Sequence, residues 1–367
     1  MSADTASIDR PPVSSWLPPL AACALLASTF AGLLPGHSAW VLVPAVLVLA
    51  GTVFAAVHHA EVIACQVGEP FGTLVLALAV TLIECSLIVS LMLSSGDNAA
   101  TLARDTVFAT VMIVCNGILG LCLLVGSARH YVVSFRPEGT TPAVAVLATL
   151  ATLTLVLPQF TLASVGPTYS TAQLVFAGVV SLLLYLVFVF VQTIRHRDFF
   201  VSDGDDNLDE HAVPPGRRAA WLSFVVLLIA LIGVVGLAKM LAPTIEVAVV
   251  AAGMPLAVVG IAIALMIMLP ETLSALRAAR SGRLQSSMNL GLGSVLAAIG
   301  LTIPAVVMVS ILAGLPLVLG LPPTEMVLLA LTLLLTAMTV LPGRATVLQV
   351  ALHLVVFSIF LFLAMVP

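Results

Sequence analysis

The feature that most constrains this chain is a succession of apolar runs, each about 20 residues long, divided by short polar joints. A run of that length is what a helix needs to cross the hydrocarbon core of a bilayer. In lipid the backbone must satisfy its own hydrogen bonds, so such runs fold as helices. Eleven runs qualify: Trp16–Pro35, Ser38–Val57, Phe71–Ser94, Thr106–Gly126, Ala143–Ala163, Ala172–Ile194, Ala220–Leu241, Glu246–Leu269, Met288–Leu312, Met326–Leu341 and Thr346–Pro367. Composition removes the alternatives. Of 367 residues, 61% are hydrophobic and 8% are charged, against about 25% charged in a soluble domain. So few charges cannot cover a soluble surface of this size, and no basic face exists for nucleic acid. A β-barrel would show short alternating segments instead. The sequence therefore predicts an all-α, polytopic membrane protein whose solvent is the lipid bilayer.

Lys and Arg concentrate on the cytoplasmic side of membrane helices. With the N-terminus inside, the eleven runs place Arg10, Arg129, Arg136, Arg195, Arg197, Arg217, Arg218, Arg277, Arg280, Arg283 and Arg344 inside and only Arg104 and Lys239 outside. The C-terminus then lies outside. With the first run set aside, runs two to six and seven to eleven form two five-helix groups that enter the membrane from opposite sides. Such inverted repeats are a common transporter architecture. The expected organisation is an N-terminal segment and extra helix over residues 1–38, a first repeat over 39–194, an acidic linker over 195–219 and a second repeat over 220–367. The linker carries Asp198, Asp203, Asp205, Asp206, Asp209 and Glu210 before Pro214, Pro215 and Gly216. It reads as a solvated hinge. A regulatory cation-binding loop is the alternative, although the acids lack the order of an EF-hand. Residues 1–15 lack the basic start of a cleaved signal peptide, so the first run is expected to be retained. Cys23, Cys65, Cys85, Cys115 and Cys122 form no CxxC pair and read as small hydrophobes.

Two charges stand apart. Glu84, in Thr81-Leu-Ile-Glu84-Cys-Ser86, falls inside its run, and Glu271, in Pro270-Glu271-Thr272-Leu-Ser274, falls just past the end of its run. Each belongs to the second helix of its repeat, and Ala77-Leu78, Leu82 and Glu84 lie in register with Ala264-Leu265, Leu269 and Glu271. A bare carboxylate at mid-bilayer costs roughly 2.5–3.5 kcal/mol on insertion scales. No Lys or Arg is near either acid in sequence except the cluster Arg277, Arg280 and Arg283 after Glu271. Two carboxylates without a fixed counter-ion suit a mobile cation or protons. A protonated Glu bonded to a neighbouring helix is the structural alternative, and for Glu271 so is a loop position. Pro270 is expected to break its helix into two halves and to free carbonyls that can ligate a cation.

At these residues the chain resembles the cation/calcium exchanger superfamily, and within it the bacterial calcium/proton antiporters, some of which act on monovalent cations. The matching stretches are His58-His59-Ala-Glu61 with Gly68-Glu69-Pro70-Phe71-Gly72-Thr73, and Pro270-Glu271-Thr272-Leu-Ser274 with Asn289-Leu-Gly-Leu-Gly293-Ser294. Helix count and spacing carry the likeness from about residue 39 to the end. The resemblance implies two repeated motifs, each built on the second and third helices of a five-helix unit, with an acid in each second helix forming the cation site. Those acids match Glu84 and Glu271, and Asn116 and Ser294 fall where the family carries polar site residues. The usual polar pair before each acid is replaced by Val80-Thr81 and Ile267-Met268, and a usual polar position by Ala297. The site is thus poor in side-chain oxygen, which leaves carbonyls and water to complete a cation's shell.

Thr81, Ser86, Thr272 and Ser274 lie within a turn of the acids, either as neutral ligands or back-bonded to their own helices. Asn116 is read equally as ligand or as interhelical bridge. His58 and His59, with Glu61 and Glu69, suggest proton entry or pH sensing against a plain interfacial pair. His353 reads as a satisfied interior histidine. The expected function is a cation/proton antiporter of the bacterial inner membrane. It would export calcium for protons by alternating access, with the first and seventh helices as the moving pair. Sodium or potassium is the second choice of cation. A channel would share the carboxylates but not the coupling. A membrane enzyme would need Asp pairs, a Ser/His set or a metal-binding Asp cluster, and none is evident. No cofactor or covalent step is expected.

Overall fold

The computed structural model describes residues 15–33, 39–68, 71–95, 100–127, 132–200, 216–251, 253, 255 and 257–366. The chain is helical nearly throughout: α1 (Leu17–Phe30), α2 (Ala39–Val67), α3 (Phe71–Ser95), α4 (Leu102–Ser127), α5 (Pro137–Gln159), α6 (Thr171–Arg195), α7 (Arg217–Ala251), α8 (Ala257–Arg280), α9 (Leu284–Ala313), α10 (Pro323–Val340) and α11 (Val347–Met365). Among the described residues nine helices are long and apolar enough to cross a membrane, and α1 and the Leu78–Leu93 stretch of α3 are shorter apolar helices. Local chemistry marks several starts. Pro137 opens α5, where a missing N–H costs nothing. Capping boxes open α6 (Ser170 with Gln173) and α11 (Thr346 with Gln349).

The structure moves several expected borders: α2 runs on to Val67 beyond the expected Val57, α5 starts at Pro137 ahead of Ala143, and the border between the seventh and eighth runs shifts. Pro243 lies inside α7, which runs on to Ala251, so Glu246 ends one helix instead of opening the next. The break comes at Gly253, in the left-handed conformation with φ 70, followed by Pro255. A single proline is tolerated within a membrane helix, whereas this Gly and Pro together stop one. α8 therefore starts later and continues through Pro270 to Arg280, correcting the expected split into half-helices. Glu84 and Glu271 sit thirteen and fourteen residues after the first residues of α3 and α8.

The fold divides into two units. The first comprises residues 1–94 and 207–248, hence α1, α2, nearly all of α3 and most of α7. Here α7 approaches α1 at Gly233 and Gly236. A Cβ at Gly233 would stand 2.9 Å from Ala22 Cβ, and one at Gly236 2.5 Å from Leu26 Cδ1. Small residues of this kind allow the close helix packing that substitutes for a hydrophobic drive in lipid.

The second unit comprises residues 95–206 and 249–367. Its centre is α4, whose most apolar stretch is 89% buried and which packs against α8, α9 and α11. Gly117 and Gly120 of α4 leave room for Phe357 and for His353 and Leu354 of α11. Side chains facing outward from α6, among them Phe176, Val179, Leu183 and Val187, are exposed and apolar, as lipid contact requires.

Loops of the second unit sort cleanly to two ends. At one end β1 (Val132–Ser134) and β2 (Arg344–Thr346) pair antiparallel, Val133 opposite Ala345. There the Arg136 guanidinium donates to the Asp198 carbonyl at 2.9 Å, and the Arg136 N–H to Gln285 Oε1 at 2.8 Å. At the other end Val318 N–H donates to the Ala100 carbonyl, Gly320 N–H to that of Pro167, and Leu321 N–H to that of Leu155. Alternate loops thus share an end, and the arginine-rich loops share one.

Candidate functional site

In the first unit, Glu84 is 2% exposed, Thr81 one turn earlier on α3 is buried, and Ser86 is half-buried. Apolar neighbours on the same helix, Val80, Ile83, Leu87 and Ile88, are buried with it.

In the second unit Glu271 of α8 is 9% exposed. The Ser294 hydroxyl of α9 donates to Glu271 Oε2 at 2.5 Å, and Met268 Sδ lies 3.8 Å from the same hydroxyl. A hydroxyl donor prefers the ionised carboxylate, and the same oxygens can turn to a cation. Pro270 has no N–H, so the Met266 carbonyl one turn back loses its normal helical donor. The site thus joins a carboxylate to a hydroxyl across two helices. Arg104 pairs with Asp105 of its own helix at 2.7 Å and not with Glu271.

Other residues singled out from sequence are disposed differently. Thr272 Oγ1 donates to the Met268 carbonyl at 2.7 Å, the back-bonded arrangement. Ser274 is half-buried. Asn116 is fully buried in a polar network. Its Nδ2 donates to Thr332 Oγ1 of α10 at 2.9 Å, and its Oδ1 stands 3.2 Å from His353 Nδ1 of α11. An amide oxygen only accepts, so Nδ1 carries the proton and Nε2 accepts from Thr339 Oγ1 at 3.0 Å. These bonds are the interhelical bridge, one of the two readings of Asn116. Asn116 lies in a wide, π-type turn of α4, Ile113–Ile118, and is hydrogen-bonded toward α10 and α11. The link between Asn116 and His353 had no sequence signal beyond one buried amide and one buried imidazole.

His59 on α2 is also fully buried. Its Nε2 stands 3.4 Å from the Ser15 carbonyl and its Nδ1 3.1 Å from Ser223 Oγ of α7. It ties the segment before α1 to α2 and α7. His58 packs edge-on against it at 5.6 Å and is half-buried, and Glu61 is exposed. Glu69 lies outside the described residues, as do the linker acids Asp203, Asp205, Asp206, Asp209 and Glu210.

Comparison with known proteins bears on what this arrangement does. The family model described as sodium/calcium exchanger protein matches residues 37–194 and 222–366. A protein of Sinorhizobium fredii named as an ionic transporter, y4hA, is 47% identical over 356 residues, 97% of each chain. The sodium-potassium/proton antiporter ChaA of Escherichia coli is 36% identical over 321 residues, 86% of each chain. Among solved structures, YfkE superposes with a TM-score of 0.72 at 15% identity, covering 96% of this chain and 100% of its own. The H+/Ca2+ exchanger CAX superposes with a TM-score of 0.68 at 16% identity, covering 95% and 88%. These two show the shared fold.

Proposed function

The chain belongs to the sodium/calcium exchanger protein family, a membrane cation antiporter and not an enzyme, and from that premise we propose that it exchanges a cation for protons at Glu84 and Glu271. The observation that carries the reading is Glu271 itself: a buried carboxylate in the interior of a membrane helix, bonded to the Ser294 hydroxyl and following Pro270. A chain does not hold a carboxyl group there without use, given its insertion cost. Glu84, buried at the matching place in α3, supplies the second acid. Protons and the cation compete for the same oxygens, so loading one expels the other. Calcium, which accepts carboxylate, hydroxyl and carbonyl oxygens together, is the first cation to test. Sodium or potassium is the second reading, favoured by the 36% identity to an antiporter named for those ions. The cation is cargo, and the cycle needs no resident cofactor.

Alternating access would fall to α1 and α7, whose glycine seam at Gly233 and Gly236 lets them move as a pair. The arginine-rich end faces the cytoplasm of the bacterial inner membrane by the basic-residue bias. Proton-coupled uptake in proteoliposomes, with calcium, sodium and potassium offered in turn, tests the proposal. Glu84→Gln and Glu271→Gln are each expected to abolish it. Exchange at the normal rate in either variant refutes the site.

A further inference from the structure

The head of α7 carries a patch that takes no part in the cation site. Arg217 and Arg218 open the helix, and with Trp221, Leu222 and Val225 they line an open groove of about 420 Å³. Both arginines are exposed, and neither guanidinium has a hydrogen bond or ion pair among the described residues. Among those residues no acidic side chain lines the groove. Trp221 is 66% exposed and meets Phe224 edge-on at 5.8 Å.

Burial divides α7 lengthwise. Ala219, Ser223, Val226, Ala230 and Val234 are buried and fall on one face. Trp221, Val225, Leu228 and Ile232 are exposed, and they follow Arg217 down the opposite face at helical spacing. From Trp221 to Ile232 is a rise of roughly 16 Å, about half the hydrocarbon core of roughly 30 Å. The apolar stripe thus has the depth of one leaflet. Two guanidiniums and a Trp, a residue suited to the membrane–water interface, stand at its head.

We propose that the head of α7 is a docking site for an anionic phospholipid, with its phosphate on Arg217 and Arg218 and an acyl chain along the stripe from Trp221 to Ile232. Charge complementarity selects this occupant. Arginine binds phosphate through paired N–H donors, and two adjacent arginines call for a ligand of net negative charge. Phosphatidylcholine brings its own ammonium, which already neutralises its phosphate. Inorganic phosphate would use the arginines and leave the stripe bare. An anionic phospholipid uses both, and the Trp221 indole N–H lies at the level of its headgroup. Bound there, the lipid holds the arginine end of α7 at the membrane surface. The site stands apart from Glu84 and Glu271 and does not depend on which cation they bind.

Tryptophan quenching reads this site without a transport assay. The chain carries Trp16, Trp40 and Trp221, so Trp16→Phe with Trp40→Phe leaves Trp221 as the reporter. This parent is titrated in mixed detergent micelles with phosphatidylglycerol or phosphatidylcholine brominated on the acyl chains. Each arginine near a membrane surface favours anionic lipid by roughly fivefold. Half-quenching by phosphatidylglycerol is therefore expected at a mole fraction at least tenfold lower than by phosphatidylcholine. Adding Arg217→Gln with Arg218→Gln should bring the two lipids to equal values. Arg217→Glu alone should weaken phosphatidylglycerol at least fivefold. An acid in the first turn favours the helix, so this variant stands in should the double one fold poorly. Equal quenching by the two lipids in the parent overturns the proposal, and so does a preference that survives these variants. Relief of phosphatidylglycerol quenching by inorganic phosphate overturns it too, because the arginines would then hold a small anion. A preference that appears only after Asp209→Asn with Glu210→Gln makes the acidic linker the occupant and overturns it as well.

Discussion

The bridge between Asn116 and His353 separates two roles for Asn116, ligand and structural tie. Asn116→Ala removes two interhelical hydrogen bonds, to His353 and to Thr332, at a site with no solvent access. Interhelical bonds of this sort average about 0.6 kcal/mol and reach about 1.7 in membrane proteins. Two of them predict a loss of about 1–3 kcal/mol. His353→Ala removes the shared bond and the one from Thr339, so its cost is of similar size. Because the pair shares one bond, the double variant should lose less than the sum of the singles, by about 0.6–1.7 kcal/mol. The assay is a double-mutant cycle on reversible unfolding in detergent micelles, with cation titrations of transport on the same four proteins. Half-saturating cation concentrations should stay within about twofold for Asn116→Ala. Additivity to within about 0.3 kcal/mol would refute the bond. A tenfold loss of apparent cation affinity with unchanged stability would refute the structural role and restore Asn116 as a ligand.

Three further expectations follow from the geometry. Ser294→Ala removes a charge-assisted bond worth about 1.5–3 kcal/mol from Glu271. The half-saturating cation concentration should therefore rise at least about tenfold in uptake titrations, and an unchanged value would show that the hydroxyl does not serve the site. Gly300→Ala would place a Cβ 2.5 Å from Tyr185 Cβ, so overpacking should cost about 1–3 kcal/mol, read as a lower midpoint of thermal unfolding in detergent. His59→Leu removes the ties to Ser15 and Ser223, and hydrogen exchange in a peptide covering residues 15–30 should accelerate; protection equal to wild type would show that the histidine does not hold this segment.

Much of the architecture was legible along the chain. Bilayer crossing depends on apolar length, which is a local sum over consecutive residues, so the runs could be read directly. The acids Glu84 and Glu271 were legible for the same reason: their cost is visible against an uncharged background. Even the grouping of loops at two ends followed from parity once the spans were counted, and the second unit shows it. Helix borders were harder. Pro270 read as a break and a border was expected between Leu241 and Glu246, yet Pro270 and Pro243 both lie inside continuous helices, because the local sequence does not say which neighbours absorb a lost hydrogen bond.

What the sequence determined by itself was a low-charge chain of membrane helices with two acids on apolar helices. Tertiary structure alone decided the partners of the polar side chains. It joined Ser294 to Glu271 across 23 residues and Asn116 to His353 across 237. The physical reason is that burial can be summed residue by residue, whereas a hydrogen bond exists only when packing brings a particular donor and acceptor within about 3 Å.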